Sequence, residues 1–496
     1  MTALPPEDDA VESGLGTRAA RGAALTLGAQ GARVIVQLTS VILLARLLTP
    51  GDYGLIAMVI AIIGVGEIFR DFGLSSAAIQ AKHLSSRQRG NLFWINTAIG
   101  GILTVVVFAT AGLLAAAYGR AELVPIAHAL SWTFLLNGLA TQFRATLVRE
   151  LRFRALAASD VAAPAIALAV ATVAALLGWG YWALVAQQLS QALALLVLLA
   201  LLAGWLPGLP RRGEPMRGLL TFGWHMVAAQ LVGYISNNVD SVLVGMRFGA
   251  VSLGIYNRAF QLLMTPLNQV RTPLTSVALP ILSRLAEDGR RFNDYVARGQ
   301  LALGYSLVAA LGVVVSAAEP VTLVLLGERW AAVAPILRLL AIAGVFQTLA
   351  FVGYWVYIAR GLTADLLRYS LVSAAIKIAC IVIGSNWGVI GIATGYAIAP
   401  ALSWPISLWW LSRRTDLPTR RLYAGALRIL ATVAAASGAA ALAVSLLPDL
   451  APAWQLAMSC LVVVAVYLLA ALVVPPVRRD LARVIAMVRM IPRARR

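Results

Sequence analysis

The sequence predicts an all-α integral membrane protein with 14 transmembrane helices and both termini in the cytoplasm. Three observations predict it. Of 496 residues, 60% are hydrophobic and only 12% are charged, about half the charged share of a soluble domain. The apolar residues fall in blocks of 20 or more, the length one helix needs to cross about 30 Å of hydrocarbon, and no ten-residue alternation of a barrel strand appears. The basic residues gather between alternate blocks, as the positive-inside rule requires of a multi-pass protein.

In chain order, "MTALPPEDDAVESGLGTRAARG" is acidic and polar, unlike a secretory signal peptide. The first span is therefore expected to act as the insertion signal. Spans follow near 23–47, 54–79, 92–117, 122–146, 156–177, 181–203, 217–245, 253–283, 295–318, 332–358, 367–387, 389–411, 424–446 and 454–474. Connectors after even-numbered spans are arginine-rich, such as "AKHLSSRQRG", "RELRFR" and "RRTDLPTRR"; those on the other side, such as "GWG" and "SNWG", carry almost nothing. The arginine-rich set, taken with both termini and Arg428, holds thirty Lys and Arg, and the opposite set four (Arg46, Arg120, Arg247 and Arg329). A missed or invented span would invert the alternation after it, and no inversion occurs. The tail "VRRDLARVIAMVRMIPRARR" repeats Val477, Leu481, Ile485 and Val488 at helical spacing, which suits a helix lying on the anionic inner leaflet; a disordered basic end is the alternative. Cys380 and Cys460 lie in spans and are expected to be small buried hydrophobes.

Two halves resemble each other at a shift of about 200 residues. "LLARLLTPGDYGLIAM" parallels "LVGMRFGAVSLGIYNRA", and Trp179-Gly180 parallels Trp387-Gly388. Six spans separate the matches, so the repeat is parallel, about an axis along the membrane normal. Transporters of this build hold substrate between rocking halves.

The run "LARLLTPGDYGLIAM … FRDFGLSSAAIQ … LSSRQRGNLFWIN" resembles the N-terminal signature of O-antigen and exopolysaccharide flippases, the polysaccharide-transport branch of the multidrug/oligosaccharidyl-lipid/polysaccharide exporter superfamily. The resemblance extends from about Ala19 to Leu411. It implies two six-helix lobes plus two added helices: a cytoplasmic tail 1–22, an N-lobe 23–203, a linker 204–216, a C-lobe 217–411, spans 13 and 14 with their preceding loop over 412–474, and a basic tail 475–496. It also implies passage of a polyprenyl-diphosphate-linked oligosaccharide from the inner to the outer leaflet. Membrane lipids and polysaccharide polymerase machinery are the implied partners, and the driving force is open among H⁺, Na⁺ and membrane potential. The family carries no sharp catalytic motif, so residue roles rest on physics.

A charge at the bilayer centre costs roughly 2.5–3.5 kcal/mol on the insertion scale, so it persists only when paired or wet. Arg33, Arg70, Arg258, Arg271, Arg338 and Lys377 lie in spans, with the acids Glu67, Asp71, Asp160 and Asp240. Glu67, Arg70 and Asp71 share a helical face that must look inward. Arg33, Arg70, Arg271 and Lys377 are the candidates for holding a diphosphate, since a guanidinium keeps its charge and binds phosphate oxygens in pairs. Against this stands a structural ion pair tying Glu67 or Asp71 to Arg33. Arg258 and Arg338 lie nearer the outer end, where they can snorkel. Gln30, Gln37, Asn237 and Asn238 offer a path for sugar hydroxyls, although amides more commonly bridge packed helices. Asp240 is the candidate for ion coupling. Gly391 and Gly395 suggest a close helix contact, and Pro266, Pro273 and Pro280 a bent span.

No glycine-rich phosphate loop precedes either lysine, and His83, His128 and His225 sit apart from other metal ligands, so no ATP-driven pump, metal or cofactor is expected. The net charge of +19 is a topology signal and implies no nucleic acid. No outer platform suits an enzyme, and a membrane glycan polymerase or ligase is a distant alternative. Nearer alternatives are a flippase for the lipid-linked peptidoglycan precursor, and a cation-coupled multidrug antiporter, which should keep acids in its N-terminal lobe.

Overall fold

A computed structural model describes residues 28–71, 85–210 and 217–490. Every regular element among them is helical. In chain order these are α1 (Gly28–Leu47), α2 (Pro50–Asp71), α3 (Ser86–Tyr118), α4 (Leu123–Arg149), α5 (Phe153–Leu176), α6 (Tyr181–Ala203) and α7 (Arg217–Arg284). There follow α8 (Gly289–Ser316), α9 (Ala318–Leu325), α10 (Val333–Ala359), α11 (Thr363–Gly384), α12 (Gly388–Arg414), α13 (Thr419–Leu446), α14 (Pro452–Val473) and α15 (Pro475–Met490). Twelve stretches among the described residues are long and apolar enough to cross a membrane. The chain is a multi-pass integral membrane protein, and its outward faces suit lipid: Leu201, Leu461 and Leu472 are each at least 70% exposed on regular helices.

Two of the twelve stretches, Gly233–Arg284 and Thr363–Arg414, have 52 residues each, about 78 Å at 1.5 Å per residue. Each contains a break. In α7 it falls at Gly249, whose φ of 78° and ψ of −177° leave the helix, while Pro266, Pro273 and Pro280 stay in helical geometry. A glycine tolerates that positive φ without a Cβ clash. Between α11 and α12 lies a 3₁₀ turn, Ser385–Trp387, followed by Gly388 at φ 75°. Its counterpart in the sequence match, Gly180, also has a positive φ, 55°, just before α6.

The described residues form two compact units. One ends at Asn238 and also takes in Gly249–Val251; the other comprises Val239–Phe248 and Ser252 onward. In unit 1, Ser85 and Gln88 form a capping box that starts α3, and Phe93, Phe143 and Leu147 pack with Leu156 and Leu199 as one core. In unit 2, α11 and α12 approach so closely that a Cβ on Gly395 would lie 2.3 Å from the Cys380 carbonyl oxygen, and one on Gly391 2.0 Å from that of Gly384. That is the contact expected of the Gly-x-x-x-Gly pair.

Three local expectations change. Cys460 is exposed on α14 rather than buried, because α14 packs along one side only and leaves the rest of its surface bare. Arg258 does not snorkel; it is 5% exposed and lies 6.0 Å from the centre of the Trp330 ring, whose face attracts a cation. The tail forms helix α15, anchored to protein as well as facing outward: Asp480 is buried and accepts from the Arg428 Nε at 2.8 Å.

Candidate functional site

In unit 1, α2 places Glu67 and Arg70 three residues apart on one face. The Arg70 Nε donates to Glu67 at 2.6 Å, and its terminal nitrogen donates to the Thr141 hydroxyl at 2.6 Å and the Asn137 carbonyl at 3.3 Å. The Asn137 amide donates back to Glu67 at 3.0 Å. Arg70 is thus charge-balanced within its own helix and latched to α4. Beside it a cavity of about 230 Å³ is lined by Glu67, Thr133, Asn137, Gln188 and Gln191, with apolar walls from Ile63 and Leu195. Amides, a hydroxyl and a carboxylate over an apolar floor suit sugar hydroxyls. A second ion pair in this unit, Arg144 to Asp160 with contacts of 2.7 and 2.9 Å, joins α4 to α5.

Unit 2 repeats the latch. One terminal nitrogen of Arg271 donates to the Thr348 hydroxyl at 2.8 Å and the Gly344 carbonyl at 3.4 Å; the other reaches Gln347 at 3.4 Å. In both units an arginine crosses to a carbonyl and to a threonine four residues beyond it. The 200-residue match aligns Arg271 with Asp71, but its contacts are those of Arg70. The difference lies in the acid. Three residues before Arg70 stands Glu67, whereas three before Arg271 stands Asn268. Among the described residues no carboxylate lies within 4.0 Å of Arg271, although it is 8% exposed and its Nε has no hydrogen-bond partner. Phe351 presents a ring 5.4 Å away.

The polar chain continues from Gln347 to the Tyr396 hydroxyl at 3.5 Å, and Lys377 lies 5.9 Å from the centre of the Tyr396 ring. Asp240, 2% exposed, accepts from the Tyr256 hydroxyl at 2.7 Å, and the charge of Lys377 acts on it. Unit 2 therefore sets Lys377 beside Asp240 and places Arg271 at the other end of the polar chain through Gln347 and Tyr396, in a largely buried setting. Such a cluster can hold an anion, because buried cations are stabilised by whichever negative group can approach.

The remaining candidates are more scattered. Arg33, Gln37 and Asn237 are exposed and Gln30 is half-buried. Arg33 makes no ion pair among the described residues, so the alternative that joined it to Glu67 is replaced by the pair within α2. Asn238 donates to the Tyr234 carbonyl at 2.9 Å, a bond within its own helix. The side chain of Asp71 lies outside the described residues, as do His83 and the sequences at both ends of the chain. The latch threonines were invisible in the sequence, since they lie 71 and 77 residues from their arginines. Gln188 and Gln191 did carry a signal, "QQLSQ" in an otherwise apolar span.

The chain is 26% identical over 386 residues to the teichuronic acid biosynthesis protein TuaB of Bacillus subtilis (strain 168), covering 76% of this chain and 79% of that protein. It is 25% identical over 378 residues to the lipopolysaccharide biosynthesis protein WzxC of Escherichia coli (strain K12), covering 74% and 75%. Among solved structures, the lipid II flippase MurJ in its inward closed conformation superposes with a TM-score of 0.67 at 14% identity, over 90% of this chain and 97% of MurJ, which establishes the fold. Residues 43–335 match the polysaccharide biosynthesis protein family, and with more than half of its length so matched the chain belongs to that family.

Proposed function

We propose that the chain flips a polyprenyl-diphosphate-linked oligosaccharide across the cytoplasmic membrane for polysaccharide or lipopolysaccharide biosynthesis. Family membership and relatives named for teichuronic acid and lipopolysaccharide synthesis support a glycan substrate. The observation that carries the reading is Arg271: a buried guanidinium held in place by neutral groups and lacking a carboxylate within 4.0 Å among the described residues. A diphosphate supplies the missing negative charge, and guanidinium–phosphate pairing is strong and directional. Lys377 adds a second positive charge. The Glu67, Asn137, Gln188 and Gln191 cavity is the sugar-facing part of the proposal. Arg70, already balanced by Glu67, serves there to hold the carboxylate in position. Asp240 with Tyr256 is the proposed coupling site, responsive to H⁺, Na⁺ or membrane potential.

The two 52-residue stretches each cross twice in this proposal, giving 14 crossings, with both termini on the arginine-rich cytoplasmic side. Alternating exposure of the site to the two faces then moves the headgroup, and no catalytic residue takes part. The lipid-linked peptidoglycan precursor is the second reading, favoured by the fold shared with MurJ and by an anchor of the same chemistry. A cationic drug fits less well, since Arg271 already sets a buried positive charge here with no carboxylate within 4.0 Å among the described residues.

The test is complementation of a strain lacking this chain with Arg271→Ala and Arg271→Lys, scoring lipid-linked precursor and surface polysaccharide. Precursor should accumulate at normal protein levels with alanine, and lysine should restore export in part. Wild-type export from Arg271→Ala would remove the basis of the proposal.

A further inference from the structure

A second pocket, of about 270 Å³, lies in unit 1, where its lining residue Gln142 follows the latch threonine Thr141 on α4. The first turn of α3 contributes Ser86 and Arg89; the C-terminal part of α4 contributes Gln142, Thr146 and Arg149, with Glu150 just beyond. We propose that this pocket binds a phosphate-bearing group.

Four features converge on that chemistry. The 33-residue α3 starts here; Ser85 already takes the Gln88 N–H, but the helix dipole still sets partial positive charge at this end. Arg89 is fixed in place by the Trp205 ring, 4.3 Å from its guanidinium carbon, while its buried Nε finds no acceptor among the described residues. Gln142 is 1% exposed, and its amide nitrogen also has no acceptor among them. A buried donor without an acceptor is costly and is rare unless a ligand or water completes it. The fourth feature is charge. Arg89 and Arg149 face one acid, Glu150, whose contacts to Arg89 and Arg152 are 3.9 and 3.8 Å, too long for hydrogen bonds. Glu150 therefore does not consume the Arg89 donors by hydrogen bonding.

Size narrows the ligand further. The volume falls just below the roughly 300–1,000 Å³ of pockets for drug-sized molecules, so it suits a phosphate or diphosphate headgroup rather than an oligosaccharide. Several donor-bearing side chains on one pocket wall favour phosphate, with its many oxygens, over a carboxylate. The same chemistry is offered by an acidic phospholipid headgroup at the membrane surface and by a free diphosphate. The proposal does not depend on the transport reading, whose carrying residue lies in unit 2.

Binding to the purified full-length protein in neutral detergent tests this, with inorganic pyrophosphate and short-chain phosphatidylglycerol as probes and phosphatidylcholine as the zwitterionic control. One or both anionic probes should bind, and Arg149→Gln and Gln142→Leu should each weaken binding about tenfold. Arg154→Gln, an exposed charge outside the pocket, should leave it unchanged. Binding of pyrophosphate assigns the site to free diphosphate; binding of phosphatidylglycerol alone assigns it to a lipid headgroup. The proposal fails if neither probe binds, if a normally melting Arg149→Gln protein binds like the wild type, or if Arg154→Gln weakens binding as much as Arg149→Gln.

Discussion

Arg70 and Arg271 are the same side chain in the same kind of latch, and one neighbour sets them apart. Glu67 lies 2.6 Å from Arg70, while Asn268 occupies the corresponding place before Arg271. Asn268→Glu should therefore place a carboxylate three residues from Arg271, neutralise it, and reduce precursor export at least tenfold with unchanged protein levels. The same variant in a strain assay separates charge from packing, since Asn268 is exposed. Conversely, Glu67→Gln leaves Arg70 its Thr141 and Asn137 contacts. Charge-assisted hydrogen bonds contribute roughly 1.5–3 kcal/mol, and the partial exposure of this pair lowers that to about 1 kcal/mol. A small drop in melting temperature in detergent should register it. At this scale the sequence disclosed which residues were charged and which face of α2 they shared. Their partners on α4 and α10 depend on how helices pack, and no local spacing encodes that.

Among the elements, the α11–α12 contact was the most legible, because a Gly-x-x-x-Gly pair has a direct steric meaning. Gly395→Leu would force a side chain into the Cys380 carbonyl, where even a Cβ would come within 2.3 Å. Overpacking of this kind costs about 1–3 kcal/mol or more, so lower yield and a lower melting temperature are expected, while Gly438→Leu, at a position with open space around it, should melt like the wild type. The break in α7 was harder to place. Three prolines drew the expectation of a bend, yet helical geometry survives at all of them and is lost at Gly249, where φ has crossed into the region that glycine tolerates best. Helix α15 likewise looked from its arginines like a lipid-surface helix, but its single described acid decides its anchorage. Asp480→Ala should release it from Arg428, leaving an unpaired cation on α13, and limited proteolysis should then cut the tail faster.

Across the whole molecule, hydropathy and arginine placement made the membrane class and the helical architecture readable before any coordinates, because lipid forces every span to satisfy its backbone internally. The proposed topology is testable directly. Single cysteines introduced at Asp288 and Thr415 should be labelled by a membrane-impermeant reagent only after the inner face is opened, and cysteines at Gly178 and Asn386 in intact cells. Labelling of Asp288 and Asn386 from the same side would overturn the count of 14 crossings. The two stretches of 52 residues are where that count stands or falls.

The recurrence of the arginine-to-threonine strap has one more implication. Because each half of the chain straps an arginine to a carbonyl and to a threonine four residues beyond it on a neighbouring helix, the acid at residue 67 and the amide at residue 268 can differ while the strap itself is kept. Electrical character is thereby uncoupled from architecture. In the proposed transport reading, one bundle stays balanced while its counterpart is left to take up an anion, and a change of a single side chain beside the strap is expected to retune what is carried.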